Sequence, residues 1–282
     1  MCIFYTQTEL VSHLTTISNQ ETTIGFVPTM GALHDGHLSL MKEALLNNNF
    51  VVVSIFVNPT QFNNAADLAK YPRTLDEDVK KIESLSNQII VFAPSVDDIY
   101  KGNTVSQPFD FDGLENQMEG RFRPGHFDGV GTIVKRLFEI VMPTNAYFGE
   151  KDFQQLQIIK KMVSKLNLNI VIIGCPILRE ANGLAMSSRN ERLTPHQRKE
   201  AAIIFETLQH AKEYFKTKSV QEVNEYVSIT FENQKDFELE YFEIADEETL
   251  LTCHHKNETK KYRAFIAVFV NNIRLIDTIS LN

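Results

Sequence analysis

The sequence has few cysteines and no long apolar segment. The three cysteines, Cys2, Cys175 and Cys253, are widely spaced and odd in number, which excludes a disulfide framework or a CxxC metal site and indicates a reducing compartment. The strongest apolar run, Phe50 to Val57, is too short to span a bilayer, and the first residues lack the basic and apolar regions of a signal peptide. The sequence therefore predicts a cytoplasmic protein without a membrane partner.

Positive charge is also scarce. The 282 residues include 28 Lys and Arg against 36 Asp and Glu, a formal net charge of −8, and acidic residues are in excess on both sides of residue 177. This charge balance argues against nucleic acid as a partner. A hydrophobic content of 43% with 23% charged residues is typical of a globular protein with a sizeable core.

Short apolar runs alternate with helical patterns through the first 176 residues. A helix is predicted from Phe127 to Val141, and another begins at Thr74, where Thr-Leu-Asp-Glu has the form of a capping box. Strands are predicted at Ile24–Pro28, Phe50–Val57, Gln88–Ala93, Ala146–Gly149 and Ile170–Cys175. This order indicates an α/β fold with a Rossmann-like, doubly wound parallel sheet, whose ligands bind at the carboxyl ends of the strands.

After residue 176 the pattern predicts a smaller C-terminal α+β domain. Thr194-Pro195 marks the start of a helix that continues towards Phe215, and a second helix is predicted from Ser219 to Asn233. Three strands follow, at Phe237–Ile244, Arg263–Val270 and Ile273–Ile279, the last two joined at Asn271-Asn272. Because no flexible linker separates the two parts, we expect a first domain at 1–176 and a packed lid domain at 177–282.

Two histidines lie where the first predicted strand gives way to a helix. Residues 29–37 read TMGALHDGH, and side chains three residues apart, such as His34 and His37, share one face of a first helical turn. A helix N-terminus presents unpaired N–H groups and a partial positive charge, so neutral or protonated imidazoles there could donate to phosphate oxygens. On its own, however, HxxH is more typical of capping or surface histidines.

Three further segments bring polar side chains towards the same edge of the predicted sheet. The segment that begins at Asn58 follows a strand directly, which places Gln61 at the carboxyl end of that strand, although Asn58-Pro59 alone favours a simple turn. Lys151 lies at a helix N-terminus, where the macrodipole disfavours a cation; a solvated surface lysine is the alternative. The run Ser187-Ser188-Arg189 could bind phosphate from a mobile loop, or form an ordinary interdomain loop.

Two charged segments leave both a functional and a structural interpretation open. The basic turn at 121–127, RFRPGHF, could face a site or only cap the helix that follows. The acidic cluster Asp76-Glu77-Asp78 is more typical of a solvated helix face, although Mg²⁺ held by a triphosphate could use one of these carboxylates.

Together these segments resemble the pantothenate synthetase, or pantoate–β-alanine ligase, family of the HIGH-motif nucleotidyltransferase superfamily. The matching segments, in the family's order, are PTMGALHDGH at 28–37, NPTQF at 58–62, YPRT at 71–74, RFRPGHF at 121–127, FGEKDFQQ at 148–155 and REANGLAMSSRN at 179–190. Asn182 departs from the family, which usually has Asp there, and this removes one charge from the turn. The C-terminal part matches less distinctively.

The resemblance implies an ATP-dependent ligation in two steps. The carboxylate of D-pantoate attacks the α-phosphate of ATP, which releases pyrophosphate and gives a pantoyl adenylate. The amine of β-alanine then attacks the acyl carbon, which releases AMP and pantothenate. The resemblance also implies Mg²⁺ with ATP, without an assigned protein ligand, and a homodimer.

The resemblance assigns roles to residues of all these segments. His34 and His37 would stabilise the α-phosphate and the leaving group, with His37 in the position treated as a proton donor. Gln61 and Gln155, together with Asn58, would bind pantoate, and Gln61 would also serve β-alanine. The other assigned catalytic residues, which hold the phosphates, are Lys151, Ser187, Ser188 and Arg189. The assigned nucleotide-binding residues are Met30, Gly31, Ala32, Leu33, His34, Asp35, Gly36, His37, Gly149, Glu150, Lys151, Asp152, Leu178, Met186, Ser187, Ser188 and Arg189.

Two alternatives share parts of this pattern. Another adenylyl-transferring enzyme of the superfamily would keep both histidines and the Ser-Ser-Arg run but would not need both glutamines. A non-catalytic nucleotide-binding regulator could keep the fold, but it is disfavoured because His34, His37 and Lys151 are all present.

Overall fold

The computed structural model describes residues 1–62 and 65–282. The larger of its two sheets has six strands and is parallel. The strands of this sheet are β1 (Cys2–Phe4), β2 (Ile24–Thr29), β3 (Phe50–Ile55), β4 (Ile89–Phe92), β5 (Asn145–Gly149) and β6 (Val171–Cys175). They pair in the order β1-β4-β3-β2-β5-β6, so that β2 lies in the interior between β3 and β5.

Helices connect these strands and cover both faces of the sheet. They are α1 (Gln7–Ile17), α2 (Asp35–Asn47), α3 (Ala65–Lys70), α4 (Leu75–Leu85), α5 (Val96–Tyr100), α6 (Met118–Phe122), α7 (His126–Val141) and α8 (Phe153–Lys165). Phe26 and Val52 join the core on one face with α1, α7 and α8, whereas Val27 and Val53 join the core on the other face with α2 and α4. Because the interior strands β2, β3 and β4 are buried on both sides, they have nearly continuous apolar sequences.

The C-terminal part contains three helices and a second, antiparallel sheet. The helices are α9 (Pro195–Glu200), α10 (Ala202–Thr217) and α11 (Val220–Glu232), and the strands are β7 (Phe237–Asp246), β8 (Tyr262–Val270) and β9 (Ile273–Ser280), in the order β7-β8-β9. Ile266 and Val268 pack with α10 and α11, whereas Tyr241 and Phe265 belong to the same core as α7 and α8. The second sheet therefore packs directly against the first part of the chain.

The predicted α/β fold with a parallel sheet and a smaller α+β part is confirmed, and the division at residue 177 stays a prediction. The short edge strand β1 and helix α1 were not predicted. The helix predicted from Thr194 towards Phe215 begins as predicted, with Thr194 as the N-cap and Pro195 as its first residue, but its continuity is wrong, because it is interrupted at Ala201 between α9 and α10. Among the described residues, no helix is both long and apolar enough to cross a membrane.

The capping box predicted at Thr74 is also wrong, although α4 does follow this residue. The Thr74 side chain caps no backbone N–H, and its hydroxyl instead lies 3.3 Å from a carboxylate oxygen of Asp78. Helices α9 and α11 have complete capping boxes, which begin at Thr194 and Ser219.

A buried ion-pair network joins the second sheet to α6. Glu119 accepts two hydrogen bonds of 2.7 Å from Arg274 in β9 and one of 2.8 Å from the Tyr241 hydroxyl in β7. Burial alone would raise the pKa of Glu119, but the hydrogen bonds and charge of Arg274 outweigh it and lower this pKa to about 2. The network therefore fixes the second sheet on the first part through a carboxylate that stays charged.

We expect Glu119→Gln to destabilise the fold by about 3 kcal/mol near neutral pH, because it removes one charge of a buried ion pair. Since folding lowers the pKa of Glu119, its contribution is present above the ordinary value of 4.5 and is lost as the pH falls towards about 2. Denaturant unfolding of the parent and of the Glu119→Gln variant should therefore give different free energies of unfolding near neutral pH. This difference should become smaller as the pH falls. Glu238→Gln, at an exposed position of β7, is the matched control; equal stability of the Glu119→Gln variant and the parent at neutral pH would contradict the expectation.

Candidate active site

A cavity of about 240 Å³ lies at the carboxyl ends of β2, β3 and β5. Its walls bring together most of the predicted site residues: Met30, His34, Gly36, His37, Asn58, Gln61, Gly149, Lys151, Asp152, Gln155, Leu178, Met186, Ser187, Ser188 and Arg189. Five predicted residues, Gly31, Ala32, Leu33, Asp35 and Glu150, are not part of the lining. Tyr71, which belongs to the YPRT segment but was assigned no role, lines it as well.

His34 and His37 cap the first turn of α2 reciprocally. Nδ1 of His34 accepts the backbone N–H of Gly36 at 3.2 Å, and Nδ1 of His37 accepts the backbone N–H of His34 at 3.3 Å. A backbone N–H can only donate, so both Nδ1 atoms are unprotonated and each neutral ring carries its proton on Nε2. The rings lie 4.0 Å apart between centroids. The sequence left open whether these histidines cap the helix or face a ligand. In the structure the same two side chains do both, since they cap α2 and also line the cavity.

The environment of this pair keeps the imidazoles neutral. Burial, followed by the charges of Lys151 and Lys81, lowers the pKa of His34 to about 4. Burial, the neighbouring His34 and the same two lysines lower the pKa of His37 well below its ordinary value. The helix N-terminus therefore carries two uncharged N–H donors rather than two cations.

The turn that precedes α2 has an unusual backbone. Gly31 and Ala32 have φ angles of 80° and 50°, and the N–H groups of Ala32 and Leu33 donate to the carboxylate of Asp78 at 2.9 and 2.7 Å. The prediction of a solvated acidic face is therefore wrong for Asp78, which is fully buried, and right for Asp76 and Glu77, which are exposed. The sequence did contain one signal that Asp78 is buried. Asp78 lies four residues before the apolar Ile82, and residues at this spacing share one face of a helix.

Gln61 is held in place by Asn58. Asn58 is 1% exposed, and its amide nitrogen donates to the Gln61 side-chain oxygen and to the Gly129 carbonyl, both at 3.1 Å. Its amide oxygen accepts the Tyr100 hydroxyl at 2.6 Å. The Gln61 amide nitrogen lies 3.3 Å from the Met30 sulfur. Asn58 therefore supports Gln61, with its own hydrogen-bonding groups already used within the protein.

Lys151 and Gln155 enter the cavity from the junction of β5 and α8. Lys151 lies in a 3₁₀ turn, Glu150–Asp152, and its side chain is 18% exposed, which argues against a freely solvated lysine. Its ammonium is 3.8 Å from the Asp152 carboxylate. Gln155 lines the cavity, whereas its neighbour Gln154 is buried and bonds to the backbone around α6.

The Ser187-Ser188-Arg189 segment is docked on the first part of the chain. The Ser188 hydroxyl donates to the Ala32 carbonyl at 3.0 Å. Arg189 donates to Asp67 at 3.0 Å, and Arg192 pairs with the same carboxylate at 3.2 Å. The segment is thus an ordered wall of the cavity, held by hydrogen bonds and ion pairs.

The basic turn at 121–127 is used mainly for support. Arg121 pairs with Glu243, Arg123 with Glu119, and the His126 ring nitrogen Nδ1 lies 2.8 Å from the Gln61 carbonyl oxygen. Gly125, with a φ of 78°, precedes α7 without a side-chain cap. The residues of this turn do not line the cavity, but His126 fixes the backbone of Gln61 from behind.

The turn at Asn182 forms with the amide in place. Its side-chain oxygen accepts the Leu184 N–H at 3.2 Å, a bond that a carboxylate would also accept, and its nitrogen donates to the Arg198 carbonyl at 2.9 Å. The amide therefore keeps the local hydrogen bond and adds a donor that aspartate lacks.

We expect both site imidazoles to remain neutral, with the proton on Nε2, between about pH 8 and about pH 5. Two-bond ¹H–¹⁵N correlation spectra would show this directly, with His34 titrating only as the pH approaches its pKa of about 4. Because folding lowers both pKa values, the pair contributes stability above the ordinary value of 6.5 that is lost as the pH falls below it. The urea-unfolded chain, whose histidines titrate normally, is the control; an imidazolium at either position near pH 6 would contradict the assignment.

Comparison with known proteins identifies the family. A family model described as pantoate-beta-alanine ligase matches residues 2–280. The chain is 67% identical to the pantothenate synthetase of Flavobacterium psychrophilum and 53% identical to that of Christiangramia forsetii, with 100% of each chain covered.

Solved structures agree with this result. The crystal structure of pantothenate synthetase from Thermus thermophilus has a TM-score of 0.90 at 37% identity, covering 100% of this chain and 99% of the other. Pantoate-beta-alanine ligase from Francisella tularensis, crystallised with beta-gamma ATP and beta-alanine, has a TM-score of 0.82 at 36% identity, covering 100% and 98%. With a family model matched over residues 2–280 and relatives that agree in sequence and fold over the full length, this chain belongs to the pantoate–β-alanine ligase family of enzymes.

Proposed function

We propose that this enzyme joins D-pantoate and β-alanine in an ATP-dependent ligation that proceeds through a pantoyl adenylate and releases AMP and pyrophosphate. The observation that carries the proposal is one cavity in which the phosphate-binding candidates His34, His37 and Lys151 face the same space as Gln61 and Gln155. Family membership and the nucleotide and β-alanine in the Francisella complex support the choice of substrates.

Adenylate formation needs positioning and charge stabilisation rather than a protein nucleophile. The pantoate carboxylate attacks the α-phosphorus, the bond to the bridging oxygen breaks, and pyrophosphate leaves with the electron pair. His34 and His37 would donate through Nε2 to oxygens on which negative charge increases, and Lys151 would supply the ammonium charge. Ser187, Ser188 and Arg189 would contact the same phosphates from the opposite wall.

The two glutamines suit an acid that also bears hydroxyl groups, because a primary amide both donates and accepts. Gln61 and Gln155 would hold pantoate, and Gln61 would remain beside the acyl carbon when the amine of β-alanine attacks it. The part first assigned to Asn58 becomes indirect, since its amide is used in holding Gln61.

Mg²⁺ would arrive with the nucleotide and neutralise charge on its phosphates. Within the described part of the chain, no three His, Cys, Asp or Glu side chains are grouped to hold a metal ion, and Asp152 is the carboxylate in the cavity lining. The cation would be held by the phosphates, and Asp152 is the carboxylate of the lining that could contribute a ligand. The homodimer and the cytoplasmic location remain inferences from the resemblance and the composition.

We expect His37→Ala or Lys151→Ala to reduce pyrophosphate release at least about a hundredfold, as loss of a donor at a developing charge does elsewhere. His254→Ala and Lys160→Ala, at exposed positions away from the cavity, are matched controls that should release pyrophosphate at the parent rate. Rapid-quench measurement with ATP, Mg²⁺ and D-pantoate reports the first step alone. Near-normal release by either site variant would remove that residue from the proposed mechanism.

The proposed function itself is tested with the purified parent protein. Pyrophosphate, AMP and pantothenate are measured with ATP, Mg²⁺ and D-pantoate, with and without β-alanine. Sustained release of AMP and pyrophosphate that requires β-alanine, with pantothenate formed, is the expected result. If no product forms, or if another acid replaces pantoate, the substrate assignment is wrong.

A further inference from the structure

Helix α4 binds the backbone of the turn that leads into His34. Asp78 is fully buried, and its two carboxylate oxygens accept the N–H groups of Ala32 and Leu33 at 2.9 and 2.7 Å. Lys81, one helical turn later, donates its ammonium to the Leu33 carbonyl at 2.6 Å. Helix α4 therefore holds three of the four backbone polar groups of Ala32 and Leu33.

The fourth group connects the turn to the opposite wall of the cavity. The Ala32 carbonyl accepts the Ser188 hydroxyl at 3.0 Å. The same residue thus contacts α4 through its N–H and the Ser-Ser-Arg segment through its carbonyl. A shift of Ala32 would move both contacts together.

The conformation of this turn requires such support. Ala32 has a φ of 50°, a left-handed conformation that an alanine side chain disfavours, and it follows Gly31 at 80°. The two successive N–H groups have no partner in α2 or β2, so without the carboxylate they would be buried and unpaired. Asp78 also packs against Gly31, where an added Cβ would lie 3.1 Å from its Oδ2 atom.

We propose that Asp78 is a positioning residue for adenylate formation, acting through the Gly31–Leu33 turn on His34 and His37. His34 follows Leu33 directly, and its N–H must point at Nδ1 of His37 for the reciprocal cap to form. That bond keeps the His37 proton on Nε2, so Asp78 sets where both rings lie and which nitrogen donates. The inference rests on the proposed function of the same cavity.

The first test is Asp78→Asn, which keeps the shape of the side chain but replaces one of its two acceptor oxygens with an NH₂ group. This NH₂ group cannot accept a backbone N–H. We expect pyrophosphate release in a single turnover to fall at least about tenfold, because a small displacement of catalytic groups is costly. Lys81→Met removes the Leu33 contact and one charge near the two imidazoles but leaves both bonds of Asp78 in place. It should therefore cause a smaller loss, and it keeps the test valid if the Asp78→Asn variant does not fold. Glu83→Gln, which replaces an exposed acid on the same helix, is the charge-matched control.

A double-mutant cycle separates positioning from general damage. If Asp78 acts through the histidines, Asp78→Asn should cause little further loss in a His37→Ala background. Losses that multiply would overturn the proposal. Restoration of the Asp78→Asn variant by added Mg²⁺ would also overturn it, because Asp78 would then act by holding the cation.

The imidazole spectra provide a readout that does not depend on turnover. In the Asp78→Asn variant, the ¹⁵N shifts of His34 and His37 should move from a pure Nε2–H form towards a mixture of tautomers, whereas those of the Glu83→Gln control should not. Unchanged spectra would overturn the proposal. If the parent protein makes no pantothenate but its imidazoles still respond to Asp78→Asn, the proposed function fails while the structural link between Asp78 and the histidines holds.

Discussion

The site depends on two backbone N–H groups at the start of α2, each of which donates to an imidazole Nδ1. These bonds do more than end a helix, because a ring that accepts through Nδ1 can carry its proton only on Nε2. The helix cap thereby chooses the tautomer of both histidines. The chain enters α2 through a left-handed turn at Gly31 and Ala32, and the N–H groups of Ala32 and Leu33 bond to Asp78, outside α2.

The parallel sheet explains why distant segments share one cavity. The chain leaves β2, β3 and β5 at the same edge, and these strands are neighbours, so Met30, Gln61 and Lys151 meet although about 120 residues separate the first from the last. Local sequence was enough to predict this, because each of these residues follows an apolar run that is buried on both faces. Helices α7 and α8 were also predictable from local sequence, because the apolar stripe of each helix continues for several turns.

The supporting contacts were less accessible from sequence, because they join residues far apart in the chain. Asp78 lies among acidic neighbours, and 45 or more residues separate it from the N–H groups that explain its burial. Asn58 was assigned to pantoate binding, but its surroundings show that its amide is bonded within the protein. The Thr74 capping box failed for a related reason: a tertiary contact with Asp78 took the hydroxyl that the local pattern assigned to the helix.

The low pKa values of the two histidines bear on the part that they can take in the reaction. With the pKa of His34 at about 4, protonating it near neutral pH costs about 4 kcal/mol. It is therefore disfavoured that either ring is an imidazolium that transfers its proton. The geometry supports hydrogen-bond donation from a neutral Nε2–H. Lys151 and Lys81 help to keep the rings neutral, whereas an approaching triphosphate carries the opposite charge and would raise both pKa values. As negative charge moves onto the leaving group in the proposed reaction, the acceptor oxygens would attract the Nε2–H donors more strongly, which strengthens the hydrogen bonds in the transition state rather than in the ground state.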